Sequence, residues 1–352
     1  MTTSTRLSRR GVVSGGLALA TALAAPNIAT AAPLTIKMGW ATMPGHLIPV
    51  LFTNPQQKGL KHTGKSYTVE PVLFRGSSPQ ITAMAAGELN LTAFAASSDA
   101  LAITNAGLDA RVLADIIQDG VPGYHSDTWL VAADGPVHTV KDLKGKRIAT
   151  NAIGSAADTA MRAMLETAGL QDRRDYVVVQ ASFQSMPALL REGKVDCAPI
   201  LQPMLLQMMK TGKFRGLFKG SDVMGATQAV FLAGNGPFLD ANKGAMMDFM
   251  EDYVRARQWL MNPANRKEAI GIIADFMKVP KEQLSYLFTR NDYFRSPNGQ
   301  PNVPGIQRPI DLAVKLGVLR QGVTIAPKHV DLRFVDEADK RIGKPPAGEA
   351  TE

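Results

Sequence analysis

The stretches QITAMAAGELNLTAFA (residues 80–95) and MPALLREGKVDCAPIL (residues 186–201) can be laid over one another so that Gly87 meets Gly193, Leu89 meets Val195 and Asn90 meets Asp196. Each copy reads as a helix, a glycine stop, a tight turn and a buried strand. The glycine supplies the left-handed conformation that ends the helix, and the Asn or Asp accepts hydrogen bonds in the turn. The strand's carboxyl end then opens outward, and in open α/β sheets that is where ligands collect. Two copies in one chain predict two similar halves facing a shared crevice.

Outward from the repeat, strands and helices alternate. Residues 34–40, 68–74 and 89–94 read as strands of one half, residues 129–133 and 147–150 as strands of the other, and residues 228–233 as a strand back in the first. The pattern predicts an α/β chain with mostly parallel sheets. Two passages between the halves make a two-crossing hinge. One lobe falls at residues 32–126 and 228–345, the other at 127–227, and a short tail at 346–352. Beyond Asp240, Met246, Phe249, Met250, Tyr253, Val254, Trp259 and Leu260 recur at spacings of three and four, the stripe of helices that pack on a core. Residues 291–304, rich in Asn, Pro and Gly, read as a long surface loop.

The start of the chain reads as an export leader. Arg6, Arg9 and Arg10 precede an apolar, Gly- and Ala-rich run that closes on Ala29, Thr30 and Ala31, the small-residue pattern of a cleavage site. The run is too short and too broken for a membrane anchor. Ser8, Arg9, Arg10 and Gly11 carry the twin-arginine signature, so residues 1–31 are expected to direct export, with cleavage near Ala31 and release into the periplasm. The formal charge of +8 becomes +5 once these three arginines leave, and the remaining Lys and Arg are scattered, without the clustered footprint of a nucleic-acid binder. Cys197 is the only cysteine and sits in an apolar run, as a buried hydrophobe does. His46, His62, His125, His138 and His329 show no metal-ligand spacing, and neither a metal nor another cofactor is expected.

Three helix starts are suited to an anion, because their first N–H groups lack internal partners and the helix dipole adds positive charge. Ser77 and Ser78 follow Gly76. Gly154 and Ser155 open a helix in the second half. Ala96 and Ser97 follow the first copy of the repeat, with Leu201 and Gln202 at the corresponding place in the second. Asp158 either favours its own helix start or, pointing inward, would suit an ammonium or hydroxyl group. Trp40, Met43, Phe183 and Met186 are candidates for apolar walls.

The segments MGWATMPGHLIPV (38–50), GSSPQITAMAAGELNLTAF (76–94), DLKGKRIATNAIGSAADTAMRAML (142–165) and MPALLREGKVDCAPILQP (186–203) together resemble the periplasmic substrate-binding proteins of ABC importers for sulfonates, nitrate, taurine and thiamine precursors, the NMT1/THI5-like family. The resemblance implies a bilobal, hinged fold of the second periplasmic type, no enzyme activity, a small anionic organic ligand and an ABC permease of the inner membrane as partner. It places ligand contacts at Trp40, Ala41 and Met43, at Gly76, Ser77 and Ser78, at Ala96 and Ser97, at Gly154 and Ser155, and at Leu201 and Gln202. Phe183 joins them as a wall. A monomer is expected. The alternatives are an enzyme on the same fold, such as a pyrimidine-precursor synthase, and a periplasmic ligand sensor.

Overall fold

A computed structural model of the chain describes Met1 and residues 32–41, 43–53, 59–74 and 77–343. The expected leader beyond Met1, the expected tail and Gly76 lie outside the described residues, as do the side chains of Ser77 and Ser78.

Ten strands are described: β1 (Leu34–Trp40), β2 (Tyr67–Leu73), β3 (Leu91–Phe94), β4 (Ala110–Asp119), β5 (Thr128–Ala132), β6 (Arg147–Thr150), β7 (Val177–Gln180), β8 (Ala198–Ile200), β9 (Phe214–Lys219) and β10 (Thr227–Asn235). One sheet has the order β2-β1-β3-β10-β4. The other half holds β8-β5-β9 and the pair β6-β7, joined by a bridge between Ile148 and Cys197. The sheets are mixed and not mostly parallel. β1 runs parallel to β2 and β3, and β6 to β7, whereas β10 opposes β3 and β4, and β5 opposes β8 and β9. The cause is the double crossing. The chain leaves the first sheet through β4 and re-enters from the far side through β10, so the returning strand opposes those it joins.

The two copies of the repeat fold alike. Gly87 has φ +74° and Gly193 φ +63°. Asn90 Oδ1 accepts the Lys37 N–H at 2.8 Å while the Asn90 N–H donates to the Lys37 carbonyl at 3.0 Å. Asp196 does the same to Arg147, with Oδ2 accepting at 2.8 Å and its own N–H donating at 2.8 Å. Leu89 and Val195, which follow the glycines by two residues, are each 1 % exposed. In both halves, then, a turn side chain fastens the incoming strand to its parallel neighbour, β1 or β6.

The helix Lys243–Met261 covers the larger sheet. Its stripe of Met246, Phe249, Met250, Tyr253 and Val254 is buried in the principal core together with Ile36, Met38 and Leu232. Each such side chain contributes about 1.5–3 kcal/mol of transfer free energy. In the second half Trp129 is wholly buried and stacks on Phe218 with ring centroids 4.7 Å apart. Cys197 is buried in the same core.

A Cβ added at Gly193 meets nothing within 4 Å, so its cost is the left-handed backbone alone. Gly193→Ala is expected to lower the stability measured by urea unfolding by about 1–2 kcal/mol. An unchanged unfolding midpoint would contradict this account of the turn.

Candidate functional site

The registers bring the functional ends of both sheets together. Phe231 of β10 lies opposite Phe94, the last residue of β3, and Thr227 lies opposite Asp119, the last residue of β4. The exit of β3, the exit of β4 and the entry of β10 therefore share one edge. In the second half Thr128, first in β5, pairs with Ile200, last in β8, while Thr150 and Gln180 end β6 and β7 side by side. A cavity of about 220 Å3 draws its walls from both edges. The first half supplies Met43 to His46 after β1, Ala95, Ser97 and Ser98 after β3, Ile117, and Ala229 and Val230. The second supplies Asp127, Asn151, Ser155 to Ala157, Phe183, Leu201 and Gln202.

The remaining wall comes from Tyr286, Asp292, Tyr293 and Arg295. Sequence patterning assigns residues 291–304 to a surface loop, but Asp292 is 1 % and Arg295 4 % exposed. The buried network around Asp115 explains the difference. Asp115 Oδ2 accepts from Arg257 Nη2 at 2.6 Å and from the Ser296 N–H at 2.9 Å, and Gln228 Nε2 donates to Oδ1 at 2.7 Å. Arg257 also donates to the Ser296 carbonyl at 2.9 Å. This network ties β4, β10 and the helix Lys243–Met261 to the segment carrying Arg295. The signal available in the sequence was Asn291-Asp292-Tyr293-Phe294-Arg295, where aromatic and charged residues mix in a way unlike a solvated loop.

Of the candidate residues, the structure brings Met43, Ser97, Ser155, Phe183, Leu201 and Gln202 to the cavity. Ala96 sits one residue away and lines a small neighbouring cavity that shares Asp127, Ala156 and Ala229 with it. Trp40 ends β1 half-buried, and the Ala41 N–H is taken by His46 Nδ1 at 3.2 Å. The Gly154 N–H donates to Asp158 Oδ2 at 2.9 Å, which leaves it engaged within its own turn. Asp158 also accepts from Arg162 Nε at 2.8 Å, so this carboxylate serves its helix start. Ser155 Oγ accepts the Asp158 N–H at 3.2 Å and donates to Asn151 Oδ1 at 2.7 Å. Met186 is wholly buried core.

The two helix starts therefore differ. Ser155 caps the helix Ala156–Thr167, whereas Ala95 gives the helix Ala96–Thr104 no side-chain cap. Ala96, Ser97 and Ser98 present first-turn N–H groups that no helical carbonyl can accept, and the Ser97 and Ser98 side chains line the cavity. The electrostatics are less simple. Arg295 is spent on Asp292, to which Nη1 donates a very short hydrogen bond. Burial, and secondarily the Arg295 charge, depress His46 to about 4, so the imidazole is neutral at pH 7. Asp127 faces the cavity from the crossing and accepts a short hydrogen bond from the Tyr293 hydroxyl. Burial raises it above the ordinary carboxylate range. Burial and the Asp127 charge push Asp119 up to about 8. Among the described residues no group of acids, histidines and cysteine could hold a metal ion, and no helix is long and apolar enough to cross a membrane.

Two α/β lobes, two crossings and a cavity at the facing strand ends make this the bilobal fold of periplasmic binding proteins. The family described as NMT1/THI5 like matches residues 69–266, and the chain belongs to that family. A relative from Escherichia coli (strain K12), a "putative aliphatic sulfonates-binding protein", is 27% identical over 180 residues, which is 49% of this chain and 54% of the relative, about half its length. The alkanesulfonate-binding protein SsuA from Xanthomonas axonopodis pv. citri, solved bound to MOPS, superposes with a TM-score of 0.65 at 21% identity, over 86% of this chain and 99% of that one. The desulfurization enzyme DszB shares the fold with a TM-score of 0.62 at 14% identity, over 88% of this chain and 99% of that one.

Asp99, just past Ser98, is wholly buried, and among the described residues neither carboxylate oxygen has a partner. Burial alone pushes it up to about 8, from 3.8 in the open chain. Between those values the folded state holds a proton that the unfolded state has released, so stability falls as pH rises through the window and levels off above it. His46 and His125, both depressed to about 4 in the fold, are half protonated at pH 6.5 in the unfolded chain, so they oppose the trend near pH 6.5 and fade towards pH 8, equally in wild type and variant. Asp99→Asn is expected to remove up to about 1.4 kcal/mol per pH unit of this slope between pH 6.5 and 8 in denaturant unfolding. A slope equal to that of the wild type would contradict the burial of an unpaired acid at this position.

Proposed function

We propose that the chain is the solute-binding component of an ABC importer, exported to the periplasm by residues 1–31, and that it captures a small organic anion between its lobes for an inner-membrane permease. The observation that carries this reading is the uncapped start of the helix Ala96–Thr104, which opens with Ser97 and Ser98 onto a cavity walled by strand ends of both halves. Unpaired N–H groups and serine hydroxyls on a helix start are acceptor-seeking groups, so a sulfonate, carboxylate or nitrate satisfies them. The similarity to sulfonate-binding proteins and the lobe boundaries expected at residues 127 and 227 support the same reading. At about 220 Å3 the cavity is below the roughly 300–1,000 Å3 of drug-sized sites, which suits a metabolite. Ligand affinity for both walls at once would shift an open-to-closed equilibrium of the lobes.

An enzymatic reading draws on the likeness to DszB. The chain's one thiol argues against thiol chemistry in the cavity, because Cys197 is wholly buried in the core and burial raises it far above the ordinary thiol range.

Calorimetry against sulfonates, carboxylates, nitrate and pyrimidines is expected to find one class that binds at a 1:1 ratio. Ser97→Ala should weaken it about fivefold, the loss of one hydrogen bond of about 1 kcal/mol. Ser97→Asp should abolish it by placing a negative charge at the helix start. Absence of binding across the whole panel, by protein that unfolds cooperatively, would overturn the proposal.

A further inference from the structure

His46 stands on the first-half wall of the cavity, 6 % exposed, and its neighbours Leu47 and Ile48 are buried in the principal core, so the backbone that carries the ring is anchored. The Ala41 N–H donates to His46 Nδ1 at 3.2 Å. A backbone amide can only donate, so Nδ1 holds a lone pair there and the single proton of the neutral ring falls on Nε2. Protonating the ring would set an Nδ1–H against the Ala41 N–H, donor facing donor with no acceptor between them. Burial, and secondarily the Arg295 charge, oppose protonation in the same sense and hold the ring down to about 4. The other charged groups facing the cavity among the described residues are Asp127, which accepts from the Tyr293 hydroxyl, and Asp292, which accepts from Arg295. The ring thus keeps one tautomer, with Nδ1 turned to its own chain and the opposite edge carrying the Nε2–H.

Resting on the capture reading above, we propose that His46 is a fixed neutral donor of that site, its Nε2–H bonding an oxygen of the bound anion while the Ala41 N–H holds the tautomer. Arg295, the cation on this wall, is spent on Asp292, so an anion here depends on neutral donors. Ser97 and Ser98 carry hydroxyls that rotate to suit an occupant and either donate or accept. His46 has no such freedom: with Nδ1 engaged, it offers a donor only. A ligand group that accepts gains a bond from it, whereas a group that donates leaves both donors buried and unpaired, at the desolvation cost of each. His46 therefore selects ligands by the sense of the hydrogen bond, which the serines do not.

Nuclear magnetic resonance of wild-type protein labelled with heavy nitrogen in histidine, the His46 ring assigned through its backbone, tests the lock without a variant. The expected result at pH 7 is a protonated Nε2 and a bare Nδ1, and a proton on Nδ1 or on both nitrogens would overturn it. Calorimetry at pH 7 with ethanesulfonate, propanoate and nitrate tests the contact. His46→Asn keeps an acceptor for the Ala41 N–H as close to Cβ as Nδ1 but loses the outer donor, so each probe that binds the wild type should bind this variant about tenfold more weakly. His46→Gln carries an amide N–H as far from Cβ as Nε2 and should stay within about threefold of the wild type. Unchanged binding by His46→Asn, or equal losses in both variants, would overturn donation by His46 and leave anion capture standing. So would a wild-type Nε2 resonance that does not move on saturation with a probe that binds, a result that needs no variant to fold. Failure of all three probes with the wild type would overturn the contact together with capture of these anions.

Discussion

Everything at the cavity depends on a turn side chain that grips a neighbouring strand. Two residues after a buried apolar side chain ends its turn, the chain must exchange helix for strand in register with a parallel neighbour, and Asn90 and Asp196 fix that register by accepting the N–H of Lys37 and Arg147. The glycines at 87 and 193 make this possible, since only a left-handed residue there reverses the chain within so few bonds. Once both strands are set, their carboxyl ends arrive at known places, and the residues beyond them, Ala95, Ser97 and Ser98 in one half and Leu201 and Gln202 in the other, line the same cavity. Gln202 Nε2 even reaches across to the Asn291 carbonyl at 3.3 Å.

The two helix starts show why position alone does not make a binding group. Ser155 and Ser97 both stand at helix starts on the cavity wall, yet the Ser155 hydroxyl and its neighbouring Asp158 are consumed in capping. Ala95 gives the start at Ala96 no side-chain cap. Its first-turn N–H groups have no helical carbonyl to bond, so they are open to an acceptor from outside the helix. The same accounting applies to charge. Arg295 lines the cavity but is matched by Asp292, whereas Asp127 is not matched, so the balance of the site differs from that suggested by counting basic residues.

Much of the architecture was legible in the sequence. β1 and β6 fall at residues 34–40 and 147–150 as the alternation predicts, and the repeat located the turns that organise both sheets. Strand direction was not legible, because β5 and β10 read as strands from local pattern while their orientation is set by the crossings. The site was read in part. Helix starts announce themselves through Ser and Gly, whereas Asp127, Asp292, Tyr293 and Arg295 reach the cavity through long-range contacts, above all the buried Asp115–Arg257 pair, that leave no short-range signature. Whether Asp158 caps or points inward was likewise decided by Arg162, one helical turn away.

The central claim is that one small molecule touches both halves at once, and amide hydrogen exchange with a saturating concentration of the anion that calorimetry finds to bind tests it most directly. The account predicts slowed exchange at the first-turn amides of the helix Ala96–Thr104 and, at the same ligand occupancy, around Asn151 and Gln202 in the other half. Protection confined to one half, with the other exchanging as in the free protein, would contradict it.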